Sequence, residues 1–124
     1  MKIPNVSVAV VTGGGNGIGA ALCRRLAEDH AKVVVADLDE SAAATVAHEI
    51  GGVARVLDVG DEAAMAAFVD DVETNVGPID LFASNAGVVF GDGKAGSASA
   101  DGVLAEIDDR WSVSWRVNVM AHVY

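Results

Sequence analysis

The chain has 124 residues, 52% of them hydrophobic, and a net charge of −10. That length suits one compact domain and supplies enough apolar side chain for a real core. The acidity argues against nucleic acid and against anionic membrane surfaces as partners. One cysteine, Cys23, excludes an internal disulfide and points to a reducing compartment. The opening Met1-Lys2-Ile3-Pro4 precedes an apolar run too short for a membrane span, with no cleavage site after a separate apolar core. The expectation is a soluble, cytoplasmic protein.

The first expected strand is Ser7 to Thr12, apolar and β-branched, as a strand buried on both faces should be. It runs directly into Gly13-Gly14-Gly15-Asn16-Gly17-Ile18-Gly19, a turn that opens a helix. Such a turn gathers backbone N–H groups and the positive end of a helix dipole at one point, which suits a phosphate. Glycine there avoids a side chain that would block a pyrophosphate or forbid a positive φ. The helix is expected from Gly17 to about His30, with Ile18, Leu22 and Leu26 facing the sheet and Arg24 and Arg25 solvated.

Lys32 to Ala36 reads as the second strand, ending at Asp37. Glycine turn, strand before, helix after and an acid at the next strand's end together signal a dinucleotide site. A second helix, about Asp39 to Ile50, has Ala43, Val46, Ala47 and Ile50 on one face, and Gly51-Gly52 stops it. Val53 to Leu57 is the third expected strand, ending at Asp58-Val59. Asp61 can cap the third helix, whose apolar face is Met65, Phe68, Val69, Val72 and Val76. Gly77-Pro78 ends that helix, and Ile79 to Ala83 forms a fourth strand before Ser84-Asn85-Ala86-Gly87.

Phe90 to about Ile107 is rich in Gly, Ser, Ala and Asp and reads as a surface loop with a short helical turn near Val103 to Ile107. A last helix is expected from about Asp108 to the end. Trp111, Trp115, Asn118 and His122 share one of its faces, and Val113, Val117, Met120 and Tyr124 another. Two such faces need cover on two sides, from the sheet and from a partner chain or further segment. Cys23 reads as a core residue without thiolate activation. His30, His48 and His122 lack metal spacing and read as structural or surface residues.

Taken together these residues resemble the short-chain dehydrogenase/reductase family. The match is Thr12 to Gly19 for the TGxxxGxG turn, Asp58-Val59 after the third strand, Asn85-Ala86-Gly87 after the fourth, and Asn118 in the following helix. Ser84 departs mildly, since the family often has a second Asn there. The resemblance implies an α/β, Rossmann-type doubly wound parallel sheet of order 3-2-1-4 over residues 1–124, ending before a fifth strand. It implies NAD as cofactor, bound by Gly13, Asn16, Gly17, Ile18 and Gly19 at the pyrophosphate and ribose, and by Asp37 and Leu38 beside the adenosine ribose. Asp58 and Val59 would meet the adenine, and Asn85, Ala86 and Gly87 would lie against the cofactor.

Asp37 favours NAD over NADP, because it would repel a 2′-phosphate. A charge pair at about 4 Å is worth at most ~4 kcal/mol at an effective dielectric of ~20, roughly a thousandfold. No basic residue in the turn offsets it; Asn16 stands where NADP-preferring relatives often carry one. Asn118 is the one family catalytic residue present, helping hold a water in the relay; an amide cannot itself be the acid or base. Family members run longer and carry a catalytic Ser and a Tyr-x-x-x-Lys pair beyond the fifth strand. Tyr124 is too close to Asn118 to be that tyrosine, and no lysine follows it, so the chain looks like the N-terminal half of such an enzyme.

The expected activity is hydride transfer between a small alcohol and a ketone or aldehyde, in a homo-oligomer formed through the final helix. A non-catalytic NAD-binding module is the alternative for these residues alone. A methyltransferase is a third reading, disfavoured by the Thr-led glycine spacing and by Asn85-Ala86-Gly87.

Overall fold

The computed structural model describes residues 5–87, 112–113, 115–118 and 120–122. The expected loop from Phe90 to Ile107, and Trp111 and Tyr124, lie outside the described residues. Strands and helices alternate: β1 (Val8–Thr12), α1 (Gly17–Glu28), β2 (Lys32–Asp37), α2 (Glu40–Ile50), β3 (Val53–Val56), α3 (Glu62–Asn75) and β4 (Leu81–Ala83). Residues 112–113 and 115–118 are helical, and Met120–His122 form a 3-10 turn. The strands make one parallel sheet in the order β3-β2-β1-β4, as the family resemblance implies.

The alternation of side chains along each strand builds two cores. Val8 and Val10 of β1 and Val34 and Ala36 of β2 face Met65, Phe68 and Val72 of α3. Ala9, Val11, Val33 and Val35 face the other way, against Cys23 and Leu26 of α1 and Ala43, Val46 and Ala47 of α2. All five residues of β1 are buried, which is why that strand is a continuous apolar run. Strand β4, at the sheet's edge, is shorter than expected, and its Phe82 is 37% exposed.

Helix α1 departs from its expected face at Ile18, while Leu26 is buried and Leu22 packs against the core as expected. Ile18 is 80% exposed, and the residues turned to the sheet are Gly19, Ala20, Cys23 and Leu26. Small residues let the helix lie close to the strands, and they carry little hydrophobic signal for a periodicity count. The helix stops at Glu28, and His30 takes a positive φ of 67° just beyond it. Arg24 and Arg25 are exposed as expected and paired: Arg24 Nε with Glu49 Oε1 at 2.8 Å, and Arg25 Nη1 with Asp29 Oδ2 at 3.0 Å. Cys23 is fully buried, and burial pushes its thiol up to about 11 against a partial lowering by Arg24. It is a neutral core thiol at physiological pH.

Helices α2 and α3 are closed at their N-termini by their own aspartates. Asp39 Oδ1 accepts the Ala42 N–H at 3.0 Å, and Asp61 Oδ1 accepts the Ala64 N–H at 3.0 Å. Gly51, in the left-handed region at φ 65°, ends α2 as expected.

Candidate functional site

Parallel strands of one sheet deliver their C-terminal ends to one edge, and the chain reverses direction across the sheet between β1 and β4, which opens a crevice there. In this protein the crevice is a cleft of about 530 Å³. Its floor and near wall come from the β1–α1 turn, through Gly13, Asn16, Gly17, Ile18 and Gly19. Asp37 and Leu38 enter from the end of β2, and Leu57, Asp58 and Val59 from the end of β3. Asn85, Ala86 and Gly87 follow β4, and Val117 of the final helical segment completes the lining. The fold thus brings the residues picked from the sequence as cofactor contacts around a single cavity.

The turn itself is shaped by two separate demands. A Cβ on Gly19 would stand 2.0 Å from the Gly13 carbonyl oxygen and 2.7 Å from Asn85 Nδ2, so glycine there is required by packing between the two loops. Gly17 has a positive φ of 53° with open space where a side chain would go, so there the backbone conformation selects glycine. Asn16 stands at the N-cap of α1 with extended backbone, makes no side-chain capping bond, and no acid lies in the first turn. The donors at that helix start are therefore available to an anion from outside.

Thr12 holds this turn to the β4 loop. Its side chain is buried, and Oγ1 accepts the Asn85 N–H at 3.0 Å and the Ala86 N–H at 3.1 Å. The same hydroxyl reaches the Ala83 carbonyl at 3.4 Å, and Asn85 Nδ2 donates to the Thr12 carbonyl at 3.2 Å. Sequence reasoning took Thr12 as the strand's last residue and the first of the TGxxxGxG turn, without a role for its hydroxyl. A buried hydroxyl at the end of an otherwise aliphatic strand was the available signal. Leu57 and Val117 were likewise not foreseen as lining residues; both are apolar, and nothing in their spacing separates a cleft wall from a core.

Each acid at the rim is anchored by backbone. Asp37 Oδ2 accepts the Gly15 N–H at 2.9 Å and Oδ1 the Asp39 N–H at 3.0 Å. Asp58 Oδ1 accepts the Gly60 N–H at 2.9 Å, while the residue stays exposed. Leu38 and Ile18, 69% and 80% exposed, are large aliphatic side chains on the cleft surface. They offer a flat apolar partner no core residue could supply.

Asn118 stands at the far side. A Cβ on Gly87 would lie 3.3 Å from its Oδ1, so the amide borders the backbone after β4 while its neighbour Val117 lines the cleft. Ser84 Oγ is hydrogen-bonded to His122 Nδ1, a second tie between β4 and the last segment. Among the described residues no group of three or more His, Cys, Asp and Glu side chains could hold a metal ion. No helix among them is long and apolar enough to cross a membrane.

The donors at the α1 start, the glycine-lined approach and an anchored carboxylate fit a nicotinamide dinucleotide: anion at the helix end, hydroxyls at the acid. Comparisons with known proteins agree at the level of the family. The short chain dehydrogenase family pattern matches residues 7–124. Short-chain dehydrogenase reductase ATA1 of Arabidopsis thaliana is 41% identical over 86 residues, which is 69% of this chain and 32% of the relative. The chain thus spans about a third of the length of that curated relative. A 3-ketoacyl-(acyl-carrier-protein) reductase from Brucella melitensis, solved in complex with NADH, superposes with a TM-score of 0.77 at 33% identity, covering 94% of this chain and 46% of the other. A metagenomic short-chain oxidoreductase in complex with NADP gives 0.73 at 33% identity, covering 93% of this chain and 51% of the other. With its glycine turn, Asp58-Val59 and Asn85-Ala86-Gly87 gathered at one cleft, the chain belongs to the short chain dehydrogenase family.

Proposed function

We propose that the cleft binds NAD(H) and that the protein is an NAD-dependent oxidoreductase, moving hydride between a small alcohol and a ketone or aldehyde. The observation that carries this reading is the pairing, in one cleft, of an α1 N-terminus without a side-chain cap and the Asp37 carboxylate. Bound there, the nicotinamide ring supplies the hydride chemistry. The protein's own part is to bind and orient. Backbone donors from Asn16 to Gly19 would take the diphosphate, and Asp37 the ribose hydroxyls beside Leu38. Asp58 and Val59 would meet the adenine edge, and Asn85, Ala86 and Gly87 the nicotinamide half.

NAD is preferred to NADP on two features. Asp37 presents a full negative charge where a 2′-phosphate would lie, and the turn from Gly13 to Gly19 contains no Lys or Arg to offset it. The neighbour solved with NADP shows that the fold itself does not decide between the two. Asn118 takes the role of a residue that holds a water near the reacting oxygen; its amide neither gives nor takes a proton near neutral pH. A second copy of the chain would cover the exposed face carrying Trp115, which is 49% exposed. The buried neutral Cys23 thiol suits a cytoplasmic setting.

A fluorescence titration tests the central part. The protein should bind NADH more tightly than NADPH. Asp37→Ala should weaken NADH binding and narrow the gap, which electrostatics caps at roughly a thousandfold. An unchanged ratio in the variant would remove Asp37 from the reading, and no binding of either nucleotide would remove the reading itself.

A further inference from the structure

Gly15 lies at the crowded point between the glycine turn, the end of β2 and the first turn of α2. It is not among the residues lining the cleft, yet its N–H donates to Asp37 Oδ2 at 2.9 Å. A Cβ at this position would stand 2.9 Å from that same oxygen and 2.8 Å from the Ala42 Cβ. Gly15 therefore has no room for a side chain, being crowded both by the carboxylate it holds and by Ala42 at the start of α2. The other oxygen, Oδ1, is fixed by the Asp39 N–H at 3.0 Å. Asp39 is in turn fixed as the cap of α2, through Ala42.

We propose that Gly15 is a specificity-determining residue: its missing side chain admits the Asp37 carboxylate to the turn's backbone, and that docked carboxylate discriminates a 2′-hydroxyl from a 2′-phosphate. This rests on the reading of the cleft as an NAD(H) site and deepens it. A carboxylate has about four lone-pair sites, so two backbone donors leave acceptor capacity for the ribose hydroxyls. Donation by two N–H groups holds the anion in one rotamer before any nucleotide arrives, so little ordering is left for binding. Of the three atoms a Gly15 Cβ would crowd, the Ala42 Cβ, the Ala42 backbone carbon at 3.1 Å and the carboxylate oxygen, only the last is the far end of a side chain, and it gives way first. The Ala42 Cβ is fixed to the helix. A side chain at Gly15 thus turns Asp37 out of register while leaving its charge on the protein.

The test is a set of NADH and NADPH titrations on the full chain. Gly15→Ala should weaken NADH by about tenfold, the scale of one hydrogen bond to a charged group, and weaken NADPH far less. The preference ratio therefore falls, whereas a merely disturbed fold would weaken both nucleotides alike. Gly15→Ala with Ala42→Gly removes the closest helix-side contact and leaves the Ala42 backbone carbon at 3.1 Å; the ratio should stay low there, with melting restored toward wild type. In an Asp37→Ala background, Gly15→Ala should change the ratio no further. If Asp37→Ala collapses the preference but Gly15→Ala leaves it intact, the proposal for Gly15 is wrong and the NAD(H) site stands. If Gly15→Ala lowers the ratio alone but the Ala42→Gly partner change restores it, helix crowding is the cause and the proposal is again wrong. If the unaltered chain binds neither nucleotide, the underlying reading fails first.

Discussion

Among the described residues, the starts of α1, α2 and α3 are finished in two different ways. Helices α2 and α3 each begin at an aspartate whose carboxylate accepts an N–H of the first turn, and each has a glutamate, Glu40 or Glu62, in that turn. Helix α1 begins at Asn16, which makes no such bond, and has no acid in its first turn. A negative group at a helix N-terminus is worth about 0.3–1 kcal/mol, and a capping side chain about 1 kcal/mol. Two helices take that stabilisation from their own chain. The third forgoes it at the end that opens into the cleft. The difference separates helix ends capped by their own chain from one whose first donors stay open to the cleft.

Substitutions at these helix starts separate the two roles. The largest effect is expected from Gly19→Ala, whose Cβ would meet the Gly13 carbonyl at 2.0 Å. Overpacking of that kind should cost about 3 kcal/mol or more, with loss of nucleotide binding, read by thermal melting and titration. Asn16→Asp should come next. It gives α1 the finish of the other two helices, so stability should hold or rise by roughly 0.5 kcal/mol while NADH affinity falls at least tenfold from charge repulsion. A variant that binds NADH as the wild type does would show that the diphosphate lies elsewhere. Asp61→Ala should do the reverse, lowering stability by about 1 kcal/mol through the lost cap and leaving NADH affinity unchanged.

The smallest effect concerns acid. The Val8 N–H and then the Ser7 N–H, donating to Asp80 Oδ2 at 3.0 and 2.8 Å, hold that carboxyl below its ordinary value of 3.8. A carboxyl depressed in the folded state stabilises above its unfolded value and loses that contribution as pH falls through the folded one. Melts taken from pH 5 down to pH 2 should therefore fall less steeply for Asp80→Asn than for the wild type. Equal slopes would mean that the tie at the start of β1 contributes nothing.

Much of the fold was legible because its signals are repetitive. Runs such as Val33-Val34-Val35 mark buried strands, and Met65, Phe68 and Val72 mark one helix face. The cleft was legible because its residues stand directly after strand ends, at Asp37, Asp58 and Asn85, where a parallel sheet must gather them. Helix α1 was misread at Ile18 for a physical reason. Apart from Leu26, its buried face is made of Gly19, Ala20 and Cys23, whose small side chains a hydrophobic count overlooks, while Ile18 belongs to the cleft. The roles of Thr12 and Gly15 were hidden because each acts on a residue far away in the chain, Asn85 and Asp37, and sequence spacing cannot show that contact.

The central claim is that the open start of α1, unlike the other two, receives the diphosphate. Amide chemical shifts recorded while NADH is added to the isotopically labelled protein test it most directly. The account predicts large shifts for the backbone N–H groups of Asn16, Gly17, Ile18 and Gly19 and near-silence in the first turns of α2 and α3 around Ser41 and Ala63. Saturable binding with those α1 amides unmoved, or with the shifts centred on α3, would contradict it.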